Sequence, residues 1–383
     1  MSVTAARGFR AAGIAAGIKQ NGSRDLALVV NDGPSDAAAG VFTANRVQAA
    51  PVQWSRRILA DGSVRAVVLN SGGANACTGP RGLADTRATA ERTAGRLGLD
   101  VSQVAVCSTG LIGVPLPMDR LLAGVEDAAG RLSEDGGEDA ARAVMTTDTV
   151  HKTAAVTKDG WTVGGMAKGA GMLAPGLATM LVVLTTDADV DARALDRALR
   201  AATRITFDRV DSDGCMSTND TVLLLASGAA GVAPEYAEFA EAVRAVCADL
   251  ARQLVSDAEG ASKELRVEVV GAASEDDAVE VGRSVARNNL LKCAVHGEDP
   301  NWGRVLSAVG TTSAAFAPDR LSVAINDVWV CKDGTVGEDR ALVDMTGREV
   351  RITVDLAEGA DHAVVWTNDL TADYVHENSE YSS

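Results

Sequence analysis

Between Gly164 and Leu184 a glycine-rich stretch runs directly into a strand pattern. It reads Gly164-Gly165-Met166-Ala167-Lys168-Gly169-Ala170-Gly171-Met172, then Pro175-Gly176, and the apolar run Met180-Leu181-Val182-Val183-Leu184 follows. A backbone with so little side-chain bulk can take bent geometries, yet it must deliver the chain straight into a buried strand. The residue at the junction is Thr179. If the Ala178–Thr179 bond is cut, Thr179 gains an α-amine beside its own hydroxyl, and that amine can act as the base that activates the hydroxyl. The local pattern alone is equally that of a plain glycine turn before a strand, with Thr as a good strand former. A phosphate loop is a poor fit, because no G-x-x-x-x-G-K-[ST] spacing occurs and Lys168 precedes the glycines it would have to follow.

The rest of the chain reads as a mixed α/β protein. Leu26–Val30, Ala66–Leu69, Val104–Cys107, Trp161–Val163, Met180–Leu184, Thr221–Ala226, Arg266–Val270, Ser322–Ile325 and Arg351–Val354 have strand patterns. Helices are predicted over 84–97, 118–132, 192–203, 234–256 and 276–288, the first of them with Arg and Glu on one side. No linker, repeat or low-complexity stretch marks a domain boundary.

Composition bounds the function. A net charge of −16 argues against nucleic acid and anionic membrane as partners, while 46% hydrophobic residues supply a sizeable core. Six scattered cysteines form no C-x-x-C pair and read as free, mostly buried thiols of a reducing compartment. The four histidines, His151, His296, His362 and His376, lack metal-ligand spacing, so no metal site is expected. No signal sequence or membrane-length apolar run is present, and a cytoplasmic protein is the expectation.

Further blocks stand in a fixed order: Gly8–Gly13, Gly40–Arg46, Asn70-Ser71-Gly72-Gly73-Ala74-Asn75-Ala76-Cys77-Thr78-Gly79, Ser108-Thr109-Gly110-Leu111-Ile112-Gly113, Met145-Thr146-Thr147-Asp148-Thr149, Ser217-Thr218-Asn219-Asp220-Thr221 and His296–Arg304. With Lys168–Met172, Ala178–Leu181 and the tail Asp369–Ser383, they resemble the ornithine acetyltransferase family along nearly the whole chain. These are the self-cleaving glutamate N-acetyltransferases of the cyclic arginine pathway. One departure is Gly73, where the family usually carries Asn; an amide is lost in a turn, but the nucleophile and oxyanion positions are untouched.

The resemblance implies an α fragment, 1–178, and a β fragment, 179–383, that build stacked helix and sheet layers jointly and assemble as two copies of each. It implies cleavage between Ala178 and Thr179, with Thr179 as nucleophile and Thr109 and Gly110 as the oxyanion hole. Thr146, Lys168, Thr179, Glu259, Asn378 and Ser383 would line the substrate site, with Thr147 an alternative to Thr146. N-acetylornithine would acetylate Thr179, and glutamate would take the acetyl group in a double displacement. No cofactor is implied, and acetyl-CoA as a second donor stays open, as does service in specialised metabolism. The enzyme alternative is an N-terminal-threonine amidohydrolase or aminopeptidase; the non-enzyme alternative is a silent paralogue serving as an assembly partner. From the residues themselves, Lys168 suits a carboxylate, Glu259 an ammonium group, and Thr146 equally a helix cap. The segment His296–Trp302 reads as a structural loop with Trp302 as a packing anchor.

Overall fold

Apolar runs without polar alternation need cover on both faces. In the computed structural model, which describes residues 2–174 and 180–380, the strands Leu26–Asn31, Ala66–Asn70 and Val104–Ser108 are buried along their whole length. They form one sheet with Phe9–Ile14 at its edge, in the order Phe9–Ile14, Leu26–Asn31, Ala66–Asn70, Val104–Ser108. Only the last pair is parallel. A parallel pair needs a crossover, and here the helix Gly79–Leu97 provides it, with Pro80 in its first turn and Gly98 in the left-handed conformation at its end.

A second sheet runs Ala38–Phe42, Thr221–Ala226, Leu181–Thr186, Trp161–Lys168, Lys152–Lys158. Trp161–Lys168 and Leu181–Thr186 are antiparallel neighbours, with Lys168 opposite Leu181. Leu181–Thr186 is parallel to Thr221–Ala226, with Leu181 opposite Thr221. Residues from either side of the 178/179 bond therefore share one sheet. They also share one core, in which Leu28, Val68 and Val106 belong to the same cluster as Met166, Leu181, Val183 and Leu223.

These sheets belong to one compact unit, Met1–Asp208 with Cys215–Leu254. The second unit, Arg209–Gly214 with Val255–Ser382, holds a mixed six-stranded sheet in which the strand Glu264–Ala272, next to the edge, alternates buried and half-buried positions over most of its length. Glu275–Ala286 packs on that sheet, and Val267, Val281, Ile352 and Val365 lie in or against its core. Sequence reading finds no boundary because the chain crosses between units inside short polar loops and at the end of the continuous helix Tyr236–Ser256, so no linker composition exists to mark it.

The glycine-rich stretch differs from its sequence reading. Gly164 and Gly165 are interior residues of the fully buried strand Trp161–Lys168, which continues five residues past Val163. Side chains are excluded there by close packing: a Cβ on Gly164 would lie 2.3 Å from the Ser2 carbonyl oxygen, and one on Gly165 2.6 Å from Leu184 Cδ2. The cysteines differ too, since Cys77, Cys215 and Cys293 are exposed and only Cys107, Cys247 and Cys331 buried. The exposed three sit on a turn, on a loop and on the outer face of the helix Asn289–His296. Among the described residues no helix is long and apolar enough to cross a membrane.

Gly164→Ala is expected to lower the unfolding free energy by about 1–3 kcal/mol through overpacking. The measurement is the urea midpoint at unchanged slope; an unmoved midpoint would contradict the packing described.

Candidate active site

The loops that leave the parallel strands Ala66–Asn70 and Val104–Ser108 lie at the strands' carboxyl ends, where open α/β sheets place ligand sites. Four backbone hydrogen bonds lace them together: Thr109 N–H to Asn70 O, Gly73 N–H to Thr109 O, Ala74 N–H to Leu111 O and Gly113 N–H to Ala76 O. Gly110, at φ +128°, presses its Cα face on the Gly72-Gly73 backbone, so that a Cβ would stand 2.8 Å from Gly73 N. A side chain at Gly73 would in turn begin 2.9 Å from Leu116 Cδ2. The departure at Gly73 thus sits in a turn held by backbone bonds that do not depend on an amide side chain.

Thr109 is buried, and its Oγ1 accepts a hydrogen bond from Lys168 Nζ at 3.3 Å. Its own O–H is then available to donate elsewhere. No described residue accepts the Gly110 N–H. One tight turn thus offers an uncommitted backbone donor next to a hydroxyl that a lysine ammonium polarises, which is what an oxyanion demands.

Lys168 ends its strand beside a second buried cation, Lys152, and the carboxylate between them is Asp148. Asp148 accepts from Lys152 Nζ at 2.7 Å, from the Gly169 N–H at 2.7 Å and from the Thr146 N–H at 2.9 Å. Burial alone would push its carboxyl up. The Lys168 and Lys152 charges and the Gly169 N–H outweigh that and hold it down at about 2. Lys19 joins the group: its Nζ donates to the Met145 carbonyl at 2.6 Å. Burial holds Lys19 below the usual lysine range, with Lys168 adding to that and Asp25 and Asp148 opposing it.

Thr109, Gly110, Lys168 and Thr146 are therefore brought together, Thr146 through Asp148. Thr146 is not a helix cap, because it follows the helix Gly137–Ala143 and does not begin one. Glu259 and Asn378 belong to the other unit, where Asn378 Nδ2 donates to Glu259 Oε2 at 2.9 Å. There the helix Ala372–Glu380 starts on Thr371, whose Oγ1 accepts the Tyr374 N–H and donates to the Gly260 carbonyl. Gly260 and Tyr374 are so close that a Cβ on Gly260 would lie 2.2 Å from Tyr374 N. Glu377 on the same helix is raised by burial first, then by Glu259 and Asp373, so this helix end is an acidic surface suited to an ammonium group. In the same unit, His296 Nδ1 lies 3.0 Å from Asp369 Oδ2, Glu298 takes Lys263, and Trp302 packs against the core. Ala178, Thr179 and Ser383 lie outside the described residues.

Asp148, Lys152 and Lys19 had no role in the sequence reading. Asp148 stood inside the quoted block Met145–Thr149, and a lone acid between threonines does not reveal that two lysines converge on it. Lys19, in Ala16-Gly17-Ile18-Lys19, carries no local signal at all.

The ArgJ family model matches residues 10–383. Over 383 residues, and over all of both chains, the sequence is 76% identical to the arginine biosynthesis bifunctional protein ArgJ of Streptomyces coelicolor and 77% identical to that of Streptomyces avermitilis. It is also similar to a crystallised ornithine acetyltransferase of Mycobacterium tuberculosis complexed with ornithine, at 59% identity and a TM-score of 0.45, over 47% of this chain and 96% of that one.

Asp148→Asn should destabilise the fold by about 3–5 kcal/mol, since it leaves buried ammonium groups without their carboxylate. The Asp148 carboxyl titrates at about 2 in the folded chain, below its unfolded value. Its contribution is therefore present above the unfolded value of about 4 and is lost as pH falls from there towards 2. In urea titrations the gap between wild type and Asp148→Asn should close over that window; a constant gap would contradict the assignment. Gly110→Ala should cut kcat by about 100-fold or more, because its Cβ drives the donor turn off Gly73.

Proposed function

The chain belongs to the ArgJ family, and from that premise we propose that it moves an acetyl group from N-acetylornithine to glutamate through an acetyl ester on Thr179, within arginine biosynthesis. We propose a second activity as well, acetylation of glutamate with acetyl-CoA as donor, which the word "bifunctional" in the relatives' names supports. Family membership over residues 10–383 favours acetyl transfer over the amidohydrolase alternative. The reading needs no metal or resident cofactor.

The observation that carries it is the pair of donors on the Thr109-Gly110 turn, with the Lys168 ammonium against the Thr109 oxygen. In the first step the Thr179 hydroxyl attacks the Ala178 carbonyl carbon. The C–O bond forms, the Ala178–Thr179 C–N bond breaks, and the hydroxyl proton goes to the departing amine. Water then hydrolyses the ester, which releases the Ala178 carboxylate and restores the Thr179 hydroxyl beside its new α-amine. In the second step that amine takes the Thr179 hydroxyl proton, and the oxygen attacks the acetyl carbonyl of N-acetylornithine. The developing oxyanion is received by the Thr109 O–H and the Gly110 N–H, each such donor contributing about 3 kcal/mol. Ornithine leaves, and the glutamate amine takes the acetyl group off Thr179.

Recognition of an amino acid needs a cation for its carboxylate and an anion for its ammonium. Lys168 with Thr146, and Glu259 with Asn378, are proposed for these roles, together with Ser383. Charge supports this division, since Lys168 lies near Lys19 and Lys152, and Glu259 among carboxylates. The working enzyme is proposed to be a cytoplasmic assembly of two α and two β fragments.

The test is intact mass under denaturing conditions with and without N-acetylornithine. Wild type should give two fragments split at Ala178/Thr179, with one acetyl group on the later fragment after exposure to donor. Thr179→Ala should stay whole and unacetylated. A wild-type chain that never splits would overturn the nucleophile assignment.

A further inference from the structure

The block Ser217-Thr218-Asn219-Asp220-Thr221 has no part in the reaction as derived so far, yet it touches both halves of the chemistry. Asn219 Nδ2 donates to the Ser108 carbonyl at 2.7 Å and to the Ala74 carbonyl at 2.6 Å. It thereby grips the residue just before Thr109 and the loop laced to it. Asp220 Oδ1 accepts the Met180 N–H at 3.1 Å, and the Thr221 N–H donates to the Met180 carbonyl at 3.1 Å. Both polar groups of Met180 are therefore held by residues 220 and 221. Met180 follows Thr179 in the chain, so the amide that Asp220 holds is the one whose acyl half is residue 179.

Asp220 is fully buried, and among the described residues its second oxygen, Oδ2, has no hydrogen-bond partner. Burial pushes the carboxyl well above its ordinary range, against the Met180 N–H, the Ser217 hydroxyl and the Lys168 charge. Burial thus disfavours the charged form of this carboxyl. A carboxylate kept for strand pairing alone has no reason to leave an oxygen buried and unpaired, because such an atom costs about 1–3 kcal/mol.

We propose that Asp220 is a positioning residue for the self-cleavage and acyl-transfer steps, fixing the amide that follows residue 179 in register with the Thr109-Gly110 turn that Asn219 holds. The proposal rests on the reading of Thr179 as nucleophile. Asp220 touches no reacting atom. Through the Met180 amide it sets where the first residue of the new fragment begins, and through its neighbour Asn219 the donor turn is carried on the same short segment. The Met180 amide and the donor turn, held by consecutive residues just before one strand, cannot drift apart independently. A misplacement of about 1 Å at such a site can cost about 100-fold in rate. The role asks only for an oxygen that accepts the Met180 N–H, so an amide of the same shape should replace the carboxyl.

The experiment follows splitting of the full-length chain by intact mass over time, then the initial rate of ornithine release from N-acetylornithine and glutamate. The proteins are wild type, Asp220→Asn and Asp220→Leu, with thermal midpoints as the check on folding. Asp220→Asn keeps the acceptor and the shape, and should split and transfer within about threefold of wild type. Asp220→Leu keeps the volume but leaves the Met180 N–H without its acceptor, and should be slower in both steps by at least about tenfold while remaining folded. Rescue by Asn but not by Leu is the signature of positioning by an acceptor oxygen. Folded Asp220→Leu that splits at the wild-type rate overturns the proposal. So does folded Asp220→Asn that is slower by about tenfold or more, whether or not the Leu variant folds. A wild-type chain that stays whole overturns the nucleophile reading and this proposal together; a wild type that splits no faster than Asp220→Leu overturns this proposal alone.

Discussion

Asp148 is a carboxylate buried between two buried ammonium groups, and the candidate site is arranged around it. Its oxygens accept from Lys152, from the Gly169 N–H and from the Thr146 N–H. Two ammonium groups within a protein interior repel each other and lose hydration, and an anion between them offsets both costs. By holding its proton off down to about 2, Asp148 keeps that anion in place. Lys168 can then reach Thr109 from the end of its strand. The same carboxylate fixes the backbone at Gly169, where the strand ends, and at Thr146, after a different helix. One charged group thus sets the position of two candidate substrate residues and the electrostatics of the donor turn.

The second constraint is the absence of side chains at a few glycines. Gly110 lets two loops at neighbouring strand ends lie backbone against backbone, with four hydrogen bonds between them. That contact aims the Gly110 N–H away from every described acceptor. Gly164 and Gly165 serve a different end: they let a strand pass under Ser2 and Leu184 so that Lys168 emerges at its end. Buried polar groups are normally paired, and against that background the Gly110 donor and Asp220 Oδ2, both unpaired among the described residues, mark where the fold leaves capacity unused.

Much of the fold was legible in the residues. Runs such as Val104–Cys107 and Val222–Ala226 are apolar at every position, and they lie in buried strands; Asp191 and Ser274 begin helices by accepting the Ala194 and Asp277 N–H groups. The motif blocks named Thr109, Gly110, Lys168 and Thr146, and these four do converge. What escaped notice has a common cause. The strand Ala38–Phe42 contains Gly40 and little apolar bulk, and the partners of Asp148 come from residues 146, 152, 168 and 169, which no local spacing relates. The unit boundary was invisible because a single helix runs up to it.

The sequence alone determined the family and the α/β class, because each rests on residue order within short windows. Tertiary structure decided the electrostatic state of the site and the mutual grip of its loops. Charge compensation at Asp148, the glycine contact between Gly110 and Gly73 and the hold of residues 219–221 on Ser108 and Met180 are all through-space relations. Their partners lie from a few to more than a hundred residues apart in the chain. Only the closing of two sheets around one shared core brings them within hydrogen-bond distance.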